Sequence, residues 1–353
     1  MTMARRLLVD ESLTPWYHCI SRAVRRAFLC GVDPVTGRDF SHRKAMIEAW
    51  LETLCGLFAV DCAGFAVMDN HLHLLLRLDS RAAGRWSDEE VARRWSRVFP
   101  PRATRTADGA QDPEMLAAWI AARASDWRWV AEHRARLASL SWFMKCLKEP
   151  ISRAANKEDG CTGAFWEGRF RSIAVLDEES LLATCAYIDL NPVAAGIAKT
   201  PEGSRHTSLR ARLDHCQSQG GLAALKDDLS TRTSRPELER GHWLLPIEDR
   251  RQQGETRAGL LDGFNLSCYL RLVDWTSRIV RRGKARVGAE LATIFERLHL
   301  DAERWQQTMT LLLGQRKLVG AFAGSREQLA AIAQRTGSRW VKHRGTRGAL
   351  LRG

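Results

Sequence analysis

The 353-residue chain is 45% hydrophobic, enough for a substantial core, and no apolar run approaches the ~20 residues of a membrane span, which excludes a membrane-embedded protein. Its formal charge of +13 favours a polyanionic partner, nucleic acid before membrane surface, and the excess is lopsided: residues 250–353 hold 20 Lys/Arg against 8 Asp/Glu, a net +12. Nine scattered cysteines without a C-x-x-C pair, behind an N-terminus with no stretch of signal-peptide length, exclude a zinc ribbon and read as reduced thiols of a cytoplasmic protein.

In chain order, WYHCISRAV (16–24) reads as an extended segment with a polar residue at nearly every second position. HRKAMIEAWLETLCGLF (42–58) has apolar residues at helical spacing, with Ser41 as its N-cap. AVDCAGFAVM (59–68) reads as a strand, and Asp69-Asn70 as the turn before the next one, HLHLLLRL (71–78). Side chains alternate faces along a strand, so Leu72, Leu74, Leu76 and Leu78 share a packing face while His71, His73, Leu75 and Arg77 share the other. This β-α-β-β succession is half of a ferredoxin-like sandwich, and the expected class is α+β: an antiparallel sheet with helices on one face.

Residues 80–138 interrupt the pattern with a helical insertion carrying Trp86, Trp95, Trp119, Trp127 and Trp129, which are either its core or a base-stacking surface. The sandwich resumes with a helix over 139–158 that spreads Lys145, Lys148, Arg153 and Lys157 along its length and bends at Pro150. FWEGRFRSIAVLD (165–177) supplies a basic loop and the last strand; 178–196 is a helix closed near Pro192, with Gly196 beyond. These segments make residues 1–200 one domain, 201–245 a loop-rich, linker-like segment, and 246–353 a basic, mostly helical C-terminal region.

An H-x-H strand can converge two imidazoles on one ion, but a metal site needs a further ligand, and two hydrogen-bonded surface histidines give the same pattern. In the helix SLLATCAYIDLNP, Leu181, Cys185 and Ile188 form a packing stripe. Tyr187 lies off it among Ser180, Ala183, Thr184 and Asn191, small or polar neighbours that would leave its phenol reachable. Either Tyr187 is a nucleophile with an amide one turn away, or it is a core tyrosine ahead of an Asn-Pro helix stop.

Taken together, YHCISRA, GFAVMDNHLHLLL, GAFWEGRFRS and AYIDLNPVAAGIA, in that order, resemble the single-tyrosine HUH transposases, particularly the REP-associated tyrosine transposases. The resemblance covers about 15–80 and 139–200. It implies a ferredoxin-like catalytic domain for residues 1–200, Mg²⁺ or Mn²⁺, and single-stranded or hairpin DNA as partner; the sequence leaves monomer and homodimer both open. Carried across, it makes His71 and His73 metal ligands, Asn191 the residue completing the metal site, and Tyr187 the nucleophile that forms a 5′-phosphotyrosine and releases a 3′ hydroxyl. Arg169, Arg171, Lys145 and Lys148 become phosphate contacts, which position rather than specify. A rival reading is a domesticated DNA-binding protein on the same fold without cleavage. An RNA-binding ferredoxin-like domain would stack bases on sheet aromatics, and the 71–78 strand has none.

Overall fold

The computed structural model describes residues 9–231, 235–282, 296, 301–314 and 320–335. Strand β1 (Trp16–Arg22) is followed by α1 (His42–Leu57), β2 (Val60–Val67) and β3 (His71–Leu78). The insertion folds as α2 (Ser80–Arg85), α3 (Asp88–Val98), α4 (Pro113–Ala124) and α5 (Trp127–Leu137); then come α6 (Leu140–Glu158), β4 (Arg171–Val175) and α7 (Glu178–Ala194). Side-chain caps fix many of these starts: Ser87, Asp112, Asp126, Ser139 and Asp177 each accept a bond from a first-turn backbone N–H. Helices α6 and α7 run through Pro150 and Pro192, so neither proline ends its helix as the sequence suggests for Pro192.

The class is α+β. Strands pair antiparallel in the order β2-β3-β1-β4, and β1, α1, β2, β3, α6 and β4 give the full β-α-β-β-α-β succession. The sheet goes beyond the expected antiparallel one by a short fifth strand, β5 (Phe322–Ala323), parallel to β4.

Strand alternation builds two cores. Leu72, Leu74, Leu76 and Leu78 pack with Tyr17 and Cys19 against Ile47, Leu51 and Leu54 of α1 and Phe143, Leu147 and Ile151 of α6. On the other face, Ile20, Leu75 and Ile173 meet Leu181, Cys185 and Ile188 of α7. Helices therefore cover both faces, not one. The reason is α7, which is apolar nearly all round: it rests on β2 and β3 and is covered in turn by α10 (Leu266–Arg282) and α11 (Ala302–Gly314).

Residues 201–245, linker-like in sequence, hold α8 (Ser208–Ser218) and α9 (Leu222–Thr231). Arg212 of α8 reaches the carbonyls of Ala63 (3.0 Å) and Leu245 (2.6 Å), tying this segment to β2. Farther on, α12 (Arg326–Arg335) follows β5, and the backbone N–H of Ser325 donates to Asp177 Oδ2 (2.6 Å) beside the start of α7. Much of the C-terminal basic excess, including Lys342, Arg344 and Arg347, lies outside the described residues.

A chain ended after residue 249 would lose Phe264, Tyr269, Leu272, Trp275, Trp305 and Phe322 from the core. At roughly 1.5–3 kcal/mol each, that rivals the ~5–15 kcal/mol total stability of an ordinary domain. Such a fragment should show no cooperative thermal transition by circular dichroism; a cooperative one would mark the C-terminal third as an appendage.

Candidate active site

The register of β1 on β3 sets His18 opposite Leu75, Ile20 opposite His73 and Arg22 opposite His71. With period two, His18, Ile20 and Arg22 share a face with His71 and His73. His18 Nε2 lies 2.9 Å from His73 Nδ1, a hydrogen bond between two buried rings. The His71 and His73 rings are 4.7 Å apart and nearly perpendicular, at 80°.

His71 is oriented by the preceding turn. Its Nδ1 is 2.7 Å from Asn70 Oδ1, which makes Nδ1 the protonated nitrogen, and the carbonyl of Asn70 accepts the backbone N–H of Ala23 (2.8 Å). Asp69 is held by Lys44 Nζ (2.6 Å) and, through its carbonyl, by the backbone N–H of Cys30 (2.8 Å). Glycine is required at position 31, because a Cβ there would sit 2.4 Å from Asp69 Cγ.

The ring of Tyr187 on α7 faces this cluster, 5.5 Å from His73 at 89° and 5.9 Å from His18 at 67°. The other two tyrosines are bonded elsewhere. Tyr17 donates to the carbonyl of Thr14 (2.8 Å) on the leucine face, and Tyr269 donates to the buried carboxylate of Asp189; burial raises the pKa of both phenols. The expectation of a reachable Tyr187 phenol is not met, for the residue is only 6% exposed. Ala183 and Thr184 are buried as well. On a helix covered on two sides, small residues mark close packing, not a gap.

Asn191 follows Tyr187 by one turn on the same side of α7 and is half-buried. Arg171 starts β4 opposite Ile20, so it points to the histidine face, where its Nη2 donates to the carbonyl of Gly320. Burial, and then the nearby charge of Arg22, lower its pKa. Arg169 is exposed in the loop before β4. Lys145 and Lys148 are not brought to the tyrosine: they ride on α6, on the leucine face. There Lys148 Nζ fastens the carbonyl of Gly168 (2.7 Å), and Lys145 lies over the ring of Trp142. His18 and Arg22 are the site residues that sequence reading passed over. The signal was the alternation Trp16, His18, Ile20, Arg22 in the first strand.

Among the described residues, no three His, Cys, Asp or Glu side chains are grouped to hold a metal ion. A cation here would therefore rest on the two imidazoles and an uncharged oxygen such as the Asn191 amide. That donor set suits a divalent ion completed by substrate oxygens, and the Asn70 bond fits it by leaving the His71 Nε2 lone pair for coordination.

No family model and no curated protein matches the chain. Among solved structures it is similar to a REP-associated tyrosine transposase bound to a REP hairpin, at 13% identity and a TM-score of 0.29, over 56% of this chain and 78% of that one. Among the described residues, no helix is long and apolar enough to cross a membrane.

The geometry separates the two histidines. His73 is buried and bonded to His18, so His73→Ala should cost about 1–3 kcal/mol by taking away a partner of a buried imidazole. His71 is half-buried, and His71→Ala should cost under about 1 kcal/mol. Urea melts of the two variants check the order; equal losses would mean that the His18–His73 bond contributes nothing.

Proposed function

We propose that the chain cleaves and rejoins single-stranded or hairpin DNA by transesterification, with Tyr187 as the nucleophile and Mg²⁺ or Mn²⁺ as cofactor. One observation carries this reading: of three tyrosines, Tyr187 alone sets its ring against the buried histidine pair, and it does so within one chain.

The Tyr187 oxygen would attack the scissile phosphorus. The P–O3′ bond breaks, the proton given up by the phenol ends on the 3′ oxygen, which leaves as a hydroxyl, and the 5′ phosphate stays on tyrosine, so bond energy is kept for rejoining. When bound by His71, His73 and Asn191, the cation would supply Lewis-acid polarisation of the phosphate. His18 sets the proton that this requires: if His73 donates Nδ1–H to His18 Nε2, the His73 Nε2 lone pair is the one left to serve as a ligand. Arg22 and Arg171 neutralise charge that grows on the non-bridging oxygens, and Arg169 in the adjoining loop positions the strand. Low exposure of Tyr187 keeps bulk water from hydrolysing the phosphotyrosine.

The same low exposure favours a second reading, a DNA-binding protein on this fold that does not cleave.

The two readings part on one experiment. Hairpin DNA with an unpaired flank, incubated with Mn²⁺ and run on a denaturing gel, should give a covalent adduct with the wild-type chain and none with Tyr187→Phe. Hairpin affinity should stay within about tenfold, since one lost hydroxyl is worth ~0.5–1.5 kcal/mol at most. Tyr17→Phe should keep the adduct. No adduct from the wild type, with hairpin binding intact, would establish the non-cleaving reading.

His18→Phe keeps an aromatic ring but removes the acceptor at Nε2. It should weaken Mn²⁺-supported cleavage by about 10–100-fold, as loss of a residue that orients a metal ligand does. Cleavage at the wild-type rate across an Mn²⁺ titration would leave His18 a packing residue.

A further inference from the structure

The insertion carries a line of aromatic rings that catalysis at Tyr187 does not use. Trp119 and Trp129 are 5.7 Å apart; Trp129 stacks on His133 at 3.8 Å and 17°; His133 meets Trp95 at 4.4 Å, and Trp95 meets Trp142 at 5.7 Å. Cations lie over the same rings. Arg123 is 5.5 Å from the Trp119 ring and 5.7 Å from that of Trp129, and Lys145 is 4.5 Å from that of Trp142. At the start of α5, Trp127 stands 70% exposed with Arg128 5.3 Å from its ring. A tryptophan that open to water forfeits most of its burial free energy, and packing of the insertion does not ask for it: that packing is met by Val91, Trp95, Val98, Val130 and Leu137, with one side of Trp119 and Trp129 against them.

Arg93, Arg94, Arg134 and Arg136 of the insertion are neutralised by Glu89, Glu90, Asp88 and Glu132. Arg123, Arg128 and Lys145 have no carboxylate partner among the described residues. Unpaired cations interleaved with half-exposed indoles match one class of ligand, an unpaired nucleic-acid strand, whose bases stack on rings while its phosphates take the charges. A protein partner would meet the aromatics but leave the charges unanswered unless it were acidic.

We infer that the helical insertion is a second DNA contact, a stacking surface for single-stranded DNA centred on Trp127, Trp129 and Trp119 and charged by Arg123 and Arg128. The surface sits with α6 on the leucine side of the sheet, so it holds strand that is not reacting. It rests on the proposed reading of Tyr187 only for the choice of DNA as the strand.

The test measures binding alone, in the Tyr187→Phe chain, by fluorescence anisotropy of labelled oligo-dT about twenty nucleotides long and of a blunt duplex. Trp127→Ala should weaken oligo-dT binding by about tenfold, the loss of one stacked base. The charge variant Arg123→Glu with Arg128→Glu should weaken it further and flatten the salt dependence by about 0.7 per lost phosphate contact. Duplex affinity should change less than about twofold, because paired bases cannot stack on the platform. Both variants alter exposed or half-exposed positions, and an unchanged thermal midpoint confirms folding. Wild-type affinity for oligo-dT in both variants would overturn the inference, as would equal losses on duplex and single strand. Adduct formation by the unmodified chain decides the Tyr187 reading separately, so either conclusion can fail alone.

Discussion

Asp189, fully buried on α7, accepts hydrogen bonds from the hydroxyl of Ser208 (2.6 Å), the backbone N–H of Leu209 (2.9 Å) and the phenol of Tyr269. Burial pushes its pKa up, and the three donors pull the other way. A carboxylate in so dry a place is tolerated only when its oxygens are bonded. The bonds fix α7 to the start of α8 and to α10. They also fix its rotation: Tyr187 lies two residues earlier, about 200° around the helix, so anchoring Asp189 to α8 and α10 turns the Tyr187 ring onto the sheet histidines.

A second buried pair extends the same logic. Arg212 (1% exposed) bonds Glu239, whose carboxylate also accepts the backbone N–H of Ile247. Burial raises the pKa of Glu239, opposed first by the charge of Arg212. Buried ion pairs of this kind add little net stability against an apolar alternative, but they tolerate few arrangements. Here the arrangement joins α8 to the irregular stretch between Cys62 and Gly64 of β2. Residues past 200 are thus built into the layer that holds α7 down, and the site around Tyr187 depends on segments far from any motif.

The two faces of the sheet divide the work. On one, the leucines of β3 and helices α1 and α6 make a dry core that fixes strand register. On the other, the same register carries three imidazoles and two guanidiniums to the surface that α7 covers. A slip of one residue would send the histidines into the leucine core, so the hydrophobic pattern that stabilises the fold also specifies the site.

The sequence by itself determined what is local. Period two in β3 separated leucines from histidines, helical spacing gave α1, α6 and α7 to within a few residues, and the Asp69-Asn70 turn was legible because turn chemistry acts over neighbouring residues. His71, His73 and Tyr187 could be singled out as candidates by the motifs they lie in, while each segment alone left a plain structural reading open. What the sequence could not supply were distances between segments. His18 joined the site only when β1 paired with β3, 55 positions away in the chain. Tyr187 became buried only because α7 packs its tyrosine side onto the sheet histidines, and Lys145 left the site because α6 packs on the opposite face. Periodicity tells which side of an element is apolar; which element covers it is decided by long-range packing, and that information exists only in the folded chain.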